Sequence, residues 1–256
     1  MENKLILTFV TLITLIVSVL IVASLGSFSQ QLTGIGVNYV VAASKVQAQT
    51  PAFDKSNFHE PLKIDNKYYP LKPGTIMSYN GTDEDGKPVQ DIVTVTNDTK
   101  EVQGIPTRVV NDTVSVNGKL EETTNDWYAQ DDKGNVWYMG EDTTDFTNKK
   151  NPHEGSWESG VKGAKAGLIM LAEPKAGITY DQEFAKGEAE DKATVLSLDN
   201  NATVPQGSYS NVIKTKEFSA LEPDVVEQKY YAENIGDIKE KTVKGSQEGI
   251  ELVEVK

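Results

Sequence analysis

The sequence feature that most constrains the fold is a hairpin pattern at residues 125–141, NDWYAQDDKGNVWYMGE. Two aromatic pairs, Trp127-Tyr128 and Trp137-Tyr138, flank a polar tract that contains Gly134. Aromatic residues favour strands, and a short polar turn whose glycine can adopt positive φ joins antiparallel strands. Two of the three tryptophans lie here, so we expect this hairpin to be the nucleus of a β-sheet.

Most of the chain after residue 75 repeats short β-prone segments that are separated by turn residues. Asn117-Gly118 is the strongest of these turn signals. Strands joined by a few residues pair antiparallel with their neighbours, and a sheet of this size curls into a barrel or half-barrel, or splits into a sandwich. The sequence therefore predicts an all-β fold, in which a single antiparallel meander of about eleven strands forms a curved half-barrel or barrel. The predicted strands are at residues 76–80, 89–96, 106–116, 120–130, 136–142, 178–186, 192–198, 209–218, 225–232, 236–243 and 250–255.

The N-terminal region contains 22 consecutive uncharged residues, 5–26. A helix of this length spans the hydrocarbon core of a bilayer, about 30 Å, whereas cleaved signal peptides usually have a shorter apolar core of about 7–15 residues. Lys4 precedes the run and no base follows before Lys45, so the positive-inside rule places the rest of the chain outside. We predict a signal anchor, in preference to a signal peptide, at 1–26, a linker at 27–60 and an extracytoplasmic all-β domain at 61–256.

Composition excludes several classes of function. The net charge is −13, from 38 acidic and 25 basic residues, and this field repels phosphate backbones, so no nucleic-acid partner is expected. The chain has no cysteine and only two histidines, His59 and His153, which excludes thiolate and three-histidine metal sites. We predict neither a cofactor nor a metal site. The four Asn-x-Thr sequons, at Asn80, Asn97, Asn111 and Asn201, are expected on exposed surfaces.

Residues 143–174 interrupt the meander, because glycines break the alternation and the segment is too long for a hairpin turn. Long loops often carry binding sites or lids. The alternative, which we favour because apolar runs are normally buried, is a crossover in which Leu168, Ile169 and Met170 plug one end of the sheet.

The aromatic residues and the acids near them resemble the equipment of a carbohydrate site, in which rings stack on sugars and carboxylates bind hydroxyl groups. The alternative is packing in the core, which is the usual role of aromatic residues in strands. Adjacent side chains of a strand point to opposite faces, so Trp127 and Tyr128 cannot share one face. A second candidate group, His153 and Glu154, could supply a general base or bind a metal with nearby carboxylates. The candidate ligand-binding residues are Trp127, Tyr128, Trp137, Tyr138, His153, Glu154 and Trp157.

Four segments resemble a family of exported prokaryotic proteins of unknown activity: YYPLKPGT at 68–75, WYAQDxxGNVWYxGE at 127–141, GSWExG at 155–160 and YYAxxxG at 230–236. The resemblance covers residues 68–241, and the aromatic hairpin is its most specific part. It implies export and a curved antiparallel sheet, and it assigns no catalytic residue. A looser similarity, at the level of the fold, links the pattern to half-barrel lipoprotein carriers.

The sequence favours an exported domain that is tethered to the membrane through its N-terminal helix and binds a ligand without catalysis. A lipid, another apolar small molecule and a glycan are all compatible ligands. One alternative is an extracytoplasmic glycan hydrolase or lyase that uses carboxylates near the long loop, since paired carboxylates leave no local sequence motif. Another is a structural module of the cell envelope.

Overall fold

The computed structural model describes residues 51–256, and within them the fold is all-β. A single turn of 3-10 helix, Lys55–Asn57, precedes fourteen strands. All pairings between strands are antiparallel. The strands are β1 (Ile76–Thr82), β2 (Pro88–Val102), β3 (Ile105–Val116), β4 (Lys119–Gln130), β5 (Val136–Asp145), β6 (Trp157–Glu158), β7 (Lys165–Met170), β8 (Thr179–Asp181), β9 (Glu183–Phe184), β10 (Asp191–Val204), β11 (Gly207–Ser219), β12 (Val226–Ala232), β13 (Gly236–Lys244) and β14 (Gly249–Val255).

The predicted all-β antiparallel class and the central hairpin are confirmed. The predicted N-terminal helix and most of the predicted linker lie outside the described residues. Within residues 51–256, no helix is both long and apolar enough to cross a membrane.

The sheet consists of two meanders that are joined along the first and last strands. Neighbouring strands follow the order β8-β10-β11-β12-β13-β14-β1-β2-β3-β4-β5-β7-β9, and β6 pairs with β5. The junction is the β1–β14 ladder, in which Tyr79 lies opposite Leu252. The C-terminal meander therefore extends the sheet beyond β1.

The two ends of the sheet meet at one continuous segment, β8–β9. β8 pairs with β10, β9 pairs with β7, and only Gln182 separates the two short strands. The backbone N–H of Gln182 donates to the carbonyl oxygen of Asp191 at 2.8 Å. Because the same segment bonds to both ends, the sheet curls into a near-barrel, which we call the barrel.

The strand count differs from the predicted eleven in two regions. Residues 178–186, predicted as one strand, divide into β8 and β9 because the segment changes partner at Gln182. Residues 143–174, predicted as a long irregular loop, contain β6 and β7. Leu168 and Met170 of β7 are buried in the core, whereas Ile169 lines the interior of the barrel, so this run is a strand of the wall rather than a separate plug.

The segment that precedes β1 packs against the barrel. Phe53 and Phe58 contact the ring of Trp137, with centroid distances of 5.3 and 6.3 Å, so the packed part of the chain begins within the predicted linker, 27–60. Residues 61–74, which we call the strap, run across one end of the barrel. Asn66 Nδ2 donates to the carbonyl oxygen of Gly134 in the β4–β5 turn, and the N–H of Asn234 in the β12–β13 turn donates to the strap.

Replacing Gly167 of β7 tests the seam that closes the barrel. A Cβ at this position would lie 2.0 Å from the carbonyl oxygen of Gln182, so Gly167→Ala must push β7 away from the β8–β9 segment. We expect the free energy of unfolding to fall by about 3 kcal/mol, the upper end of ordinary overpacking, as measured by urea denaturation. Gly207→Ala is the control, because its Cβ would meet no atom closer than 3.9 Å. Equal effects of the two substitutions would contradict a tight seam.

Candidate functional site

A cavity of about 130 Å³ lies inside the barrel, which we call the lumen. Its wall is formed by strands from both meanders and by the strap. The ionisable side chains of the wall are nine carboxyl groups, one ammonium group and five phenols: Asp91, Asp112, Asp126, Glu183, Asp191, Glu217, Glu227, Asp237, Glu240, Lys229, Tyr69, Tyr79, Tyr128, Tyr138 and Tyr231.

These acids face the lumen because the side chains of a β-strand point alternately to its two faces. On β2 and β3, an aspartate occupies one position in a row of inward-facing valines: Val89-x-Asp91-x-Val93 and Val110-x-Asp112-x-Val114. Side chains two residues apart point to the same face of a strand, so the periodicity that buries the valines also buries the aspartates. Asp91 and Asp112 are 3% and 4% exposed.

Asp91 and Asp112 form a carboxyl pair on neighbouring strands. The register, which pairs Asp91 with Val114 and Asp112 with Val93, makes the two acids diagonal neighbours on one face of the sheet. Their carboxyl groups are close enough to share a hydrogen bond, and such a bond requires one of them to keep its proton. Burial, reinforced by the charge of Glu240, raises the pKa of Asp91 to about 7. Burial and the nearby Asp91 raise the pKa of Asp112 well above its usual range. Apart from the shared proton, no N–H or O–H group of the described residues donates to Oδ1 of either residue.

A second shared proton lies at Tyr138. Its Oη is 2.5 Å from Asp126 Oδ1 and 2.9 Å from Glu141 Oε2. A phenol has one proton and can donate to only one of the two carboxyl groups, so the other must donate to the phenol oxygen. Burial raises the pKa of Asp126 to about 8, so Asp126 retains its proton at neutral pH and can be this donor. The ring of Tyr138 stacks on Tyr128 at 4.8 Å.

The one basic side chain of the lumen, Lys229, is partly buried between two carboxylates. Lys229 Nζ lies 3.3 Å from Glu240 Oε1 and 3.6 Å from Glu217 Oε2. Burial opposes its charge, but Glu240 and Glu217 raise the pKa of Lys229 well above its usual value. Glu217 also accepts a hydrogen bond from Tyr231 Oη at 3.1 Å. The lumen therefore holds one ammonium ion of its own.

Acids continue from the lumen to the end of the barrel opposite the strap, where β11 ends and β14 begins. Burial, then the nearby Asp191 and Glu248, raises the pKa of Glu222 to about 7. Burial raises the pKa of Glu248 as well, and the charges of Glu84 and Asp83 add to the effect. We call these four residues (Asp83, Glu84, Glu222 and Glu248) the acidic mouth.

The sequence-predicted aromatic residues divide between the two faces of the sheet. Tyr128 and Tyr138 line the lumen, and their neighbours Trp127 and Trp137 lie on the opposite face, as the alternation requires. Trp127 is buried beneath the ammonium group of Lys100, which lies 3.6 Å from the ring centroid. All four rings are at most 6% exposed.

The other tryptophan contacts are structural hydrogen bonds. Trp137 Nε1 donates to Asp131 Oδ2 in the hairpin turn at 3.0 Å. Trp157 Nε1 donates to Glu183 Oε2 at 3.1 Å. Glu183 lines the lumen, so Trp157 positions a lumen carboxyl group without lining the cavity itself.

His153 and Glu154 lie in the loop after β5, away from the lumen. His153 is exposed, with Nδ1 2.8 Å from the carbonyl oxygen of Thr143. Glu154 accepts a hydrogen bond from Asn148 Nδ2 at 2.9 Å. Of the seven candidate residues, the structure brings Tyr128 and Tyr138 to the lumen, and a ligand-binding role for the set stays a prediction.

Other polar groups singled out in the sequence have structural partners. Among residues 51–256, no group of three or more acidic or histidine side chains could hold a metal ion. In the acidic turn, Asp132 Oδ2 lies 2.7 Å from His59 Nδ1. The single arginine, Arg108, donates through Nη1 to the carbonyl oxygen of Asn97 at 3.1 Å, in a bulge of β2, so this nitrogen serves the backbone rather than an anionic ligand.

The most unusual groups of the site, the buried acids, are absent from the sequence-predicted set. The sequence prediction did not include Asp91, Asp112 and Asp126, because its candidate residues were chosen among the aromatic residues and in the long loop. A detectable signal exists, namely an acid at an inward position of an otherwise apolar alternation. The partners of Lys229 carry no such local signal, because Glu217 and Glu240 lie on separate strands.

Stability should fall as the pH rises from about 4 to about 8. Asp91, Asp126 and Glu227 have a pKa of about 7, 8 and 8 in the folded protein, so over this range the folded state binds more protons than the unfolded chain. Each such group lowers the free energy of unfolding by up to about 1.4 kcal/mol per pH unit. Thermal unfolding should give a higher Tm at pH 5 than at pH 8, and Asp126→Asn should flatten this slope.

Asp199→Asn, at an exposed acid of β10, serves as the control and should leave the pH dependence of Tm unchanged. A Tm that rises between pH 5 and pH 8, or a slope that Asp126→Asn does not alter, would contradict the protonated state of the lumen.

Two solved structures resemble the chain at low similarity. A predicted exported protein of Bacteroides fragilis with a YmcC-like fold is 16% identical, with a TM-score of 0.44 over 75% of this chain and 99% of the other. A predicted lipoprotein of Parabacteroides distasonis is 13% identical, with a TM-score of 0.42 over 75% of this chain and 100% of the other. No protein-family model matches the chain, and no curated protein is significantly similar to it in sequence. These values are too low to assign the chain to a family or to a function.

Proposed function

We propose that this protein is an extracytoplasmic, non-catalytic binding module and that the lumen is its ligand site. The observation that carries the proposal is the pair of buried carboxyl oxygens at the lumen wall, Asp91 Oδ1 and Asp112 Oδ1, which receive no N–H or O–H donor from the described residues apart from the proton that the two groups share. Buried polar groups without partners are costly. A ligand that supplies hydrogen-bond donors would remove this cost.

The chemistry of the wall favours a polar ligand over a lipid. An apolar ligand would displace water from the carboxyl groups and give them no donor in return, and that desolvation is unfavourable. A ligand with hydroxyl or amino groups can instead bond to the carboxyls while it packs against the rings of Tyr69, Tyr128 and Tyr231, all of which line the cavity. Of the ligand classes that the sequence allows, the lumen supports one with many donors, such as a glycan, better than a lipid.

The same acids argue against a purely structural module. A fold selected only for stability has no need of nine carboxyl groups around one cavity, because well-packed apolar residues usually replace buried ionic groups with no loss of stability. The buried carboxyls also make the protein less stable as the pH rises, as described above. A ligand that bonds to these carboxyl groups explains their presence better than a purely structural role does.

The proposal that the domain is exported rests on sequence evidence. The uncharged run at residues 5–26, the single base before it and the absence of bases up to Lys45 support transfer of the domain across a membrane. The resemblance to exported proteins supports the same conclusion. On this proposal the domain meets its ligand outside the cytoplasm.

Filling the lumen tests the proposal directly. Val93 lines the lumen, and Val93→Phe would occupy the cavity without removing any carboxyl group. The adjacent Ile92 points to the opposite face, so Ile92→Phe places the same new side chain outside the lumen. Native mass spectrometry of the full chain, purified from its host in detergent without denaturation, should find a bound small molecule in the parent and in Ile92→Phe and none in Val93→Phe. Circular dichroism checks that both variants are folded.

A ligand mass that persists in folded Val93→Phe would place the ligand elsewhere. A parent protein that carries no small molecule under these conditions would count against the binding function itself.

A further inference from the structure

We infer that the ligand of the lumen is a small organic ammonium ion, and that its binding displaces the proton shared by Asp91 and Asp112. This inference rests on the proposed function, because it names the chemical class that the lumen takes.

The charge balance of the lumen favours a cation. Nine carboxyl groups line the cavity and face a single ammonium group, Lys229. Within the lumen, Lys229 Nζ has Glu217 and Glu240 within 4 Å. Asp91, Asp112 and Asp126 have no basic partner within salt-bridge distance among the described residues. A neutral ligand could accept or donate hydrogen bonds here, but only a cation would compensate carboxylate charge in a cavity of low dielectric.

Lys229 is a covalently attached example of the ion that we propose. Its side chain is partly buried, and its ammonium group remains charged and is held by the carboxylates of Glu217 and Glu240. The same cavity presents a second carboxyl pair, Asp91 and Asp112, without an ammonium group. The chemistry that stabilises Lys229 is thus repeated at a place where the chain provides no cation of its own.

The aromatic wall fits an organic ammonium ion better than a metal ion. Tyr138 stacks on Tyr128, and Tyr69 contacts both Tyr128 and Tyr231, with centroid distances of 4.8, 5.5 and 6.3 Å. Aromatic faces beside carboxylates attract amines through cation–π interactions. Among residues 51–256, by contrast, no group of acids and histidines could hold a metal ion.

The acidic mouth adds negative charge next to the lumen. Glu222 is partly buried near the lumen acid Asp191, Glu248 is buried, and Asp83 and Glu84 lie near Glu248. Clefts lined by charges of one sign concentrate ions of the opposite sign and accelerate their association. We therefore expect the mouth to attract cations towards the lumen.

Binding by proton exchange keeps the charge of the lumen constant. Without ligand, one of Asp91 and Asp112 keeps its proton because two buried carboxylates in contact cannot both ionise. When the ammonium ion enters, that proton leaves to solvent, and the cation donates to the two carboxylates in its place. One positive charge enters and one leaves, so no other ion is required.

The exchange depends on pH in a definite direction. The ionisable groups that face the pair are Asp126 from β4, Glu240 from β13, Lys229 from β12 and Tyr79 from β1. Burial raises the pKa of Asp91 to about 7 and that of Asp112 well above its usual range, so protons compete with the ligand at neutral pH and below. Affinity for the amine should rise between pH 6 and pH 8, by up to about tenfold per pH unit for each proton released.

The experiment is isothermal titration calorimetry of the full chain in detergent, with primary n-alkylamines of three to six carbons, each of which carries one positive charge, as probes. The n-alkanols of the same lengths are the neutral controls, and magnesium chloride is the metal control. We expect at least one alkylamine to bind, with an affinity at least tenfold above that of its alkanol and of magnesium. Repeating the titration in phosphate and in HEPES, whose ionisation enthalpies differ, measures the number of protons released, which should be about one.

Two pairs of variants locate the effect. Asp112→Asn removes the shared proton at nearly constant shape and should weaken binding of the alkylamine at least tenfold and abolish proton release, whereas Asp199→Asn at an exposed site should do neither. Val93→Phe should abolish binding, and Ile92→Phe should preserve it. If Asp112→Asn fails to fold, the proton count in the parent protein still decides between exchange and simple binding.

Several results would overturn the inference: no binding by any alkylamine, equal binding of the alkanols, tighter binding of magnesium, no release of protons, or binding that survives in folded Val93→Phe. A neutral molecule that co-purifies in the parent and is lost in Val93→Phe would refute the ammonium ligand while leaving the lumen as the binding site. The absence of any ligand that depends on the lumen would refute both.

Discussion

The rest of the structure depends on the burial of carboxyl groups inside a nearly closed sheet. An ionised carboxylate is costly in such a place unless donors surround it, and the described donors are few. The protein meets this constraint in three ways: Asp91 and Asp112 share a proton, Asp126 and Glu141 meet at one phenol, and Lys229 lies between two carboxylates. Each solution leaves carboxyl groups whose protonation responds to whatever enters the lumen.

Closure of the sheet makes this constraint strong. The β8–β9 segment bonds to both ends of the sheet, and the strap crosses one end, with Tyr69 against the rings of Tyr128 and Tyr231. An open half-barrel would expose the same acids to water, and their pKa values would then be ordinary. The features that define the fold and the features that define the candidate site are therefore the same.

The sequence predicted the strand class and the central hairpin, because both depend on local alternation and turn chemistry. It missed β6, β7 and the division of residues 178–186, because these depend on which distant strand each segment pairs with. Trp127 and Tyr128 were correctly expected on opposite faces, but local pattern could not say which face is the inner one. The acids of the lumen were missed for the same reason: Glu217, Lys229 and Glu240 come together only after the sheet has curled.

The shared protons also change the electrophoretic character of the molecule. A formal count assigns the chain a net charge of −13 at neutral pH, but that count treats every acid as ionised. Because burial raises the pKa of several lumen carboxyls above the usual range, to about 8 for Asp126 and Glu227, we expect the folded protein to migrate as a weaker anion than its composition implies. Unfolding releases those protons and restores the full charge, so the folded and unfolded forms differ in mobility as well as in size.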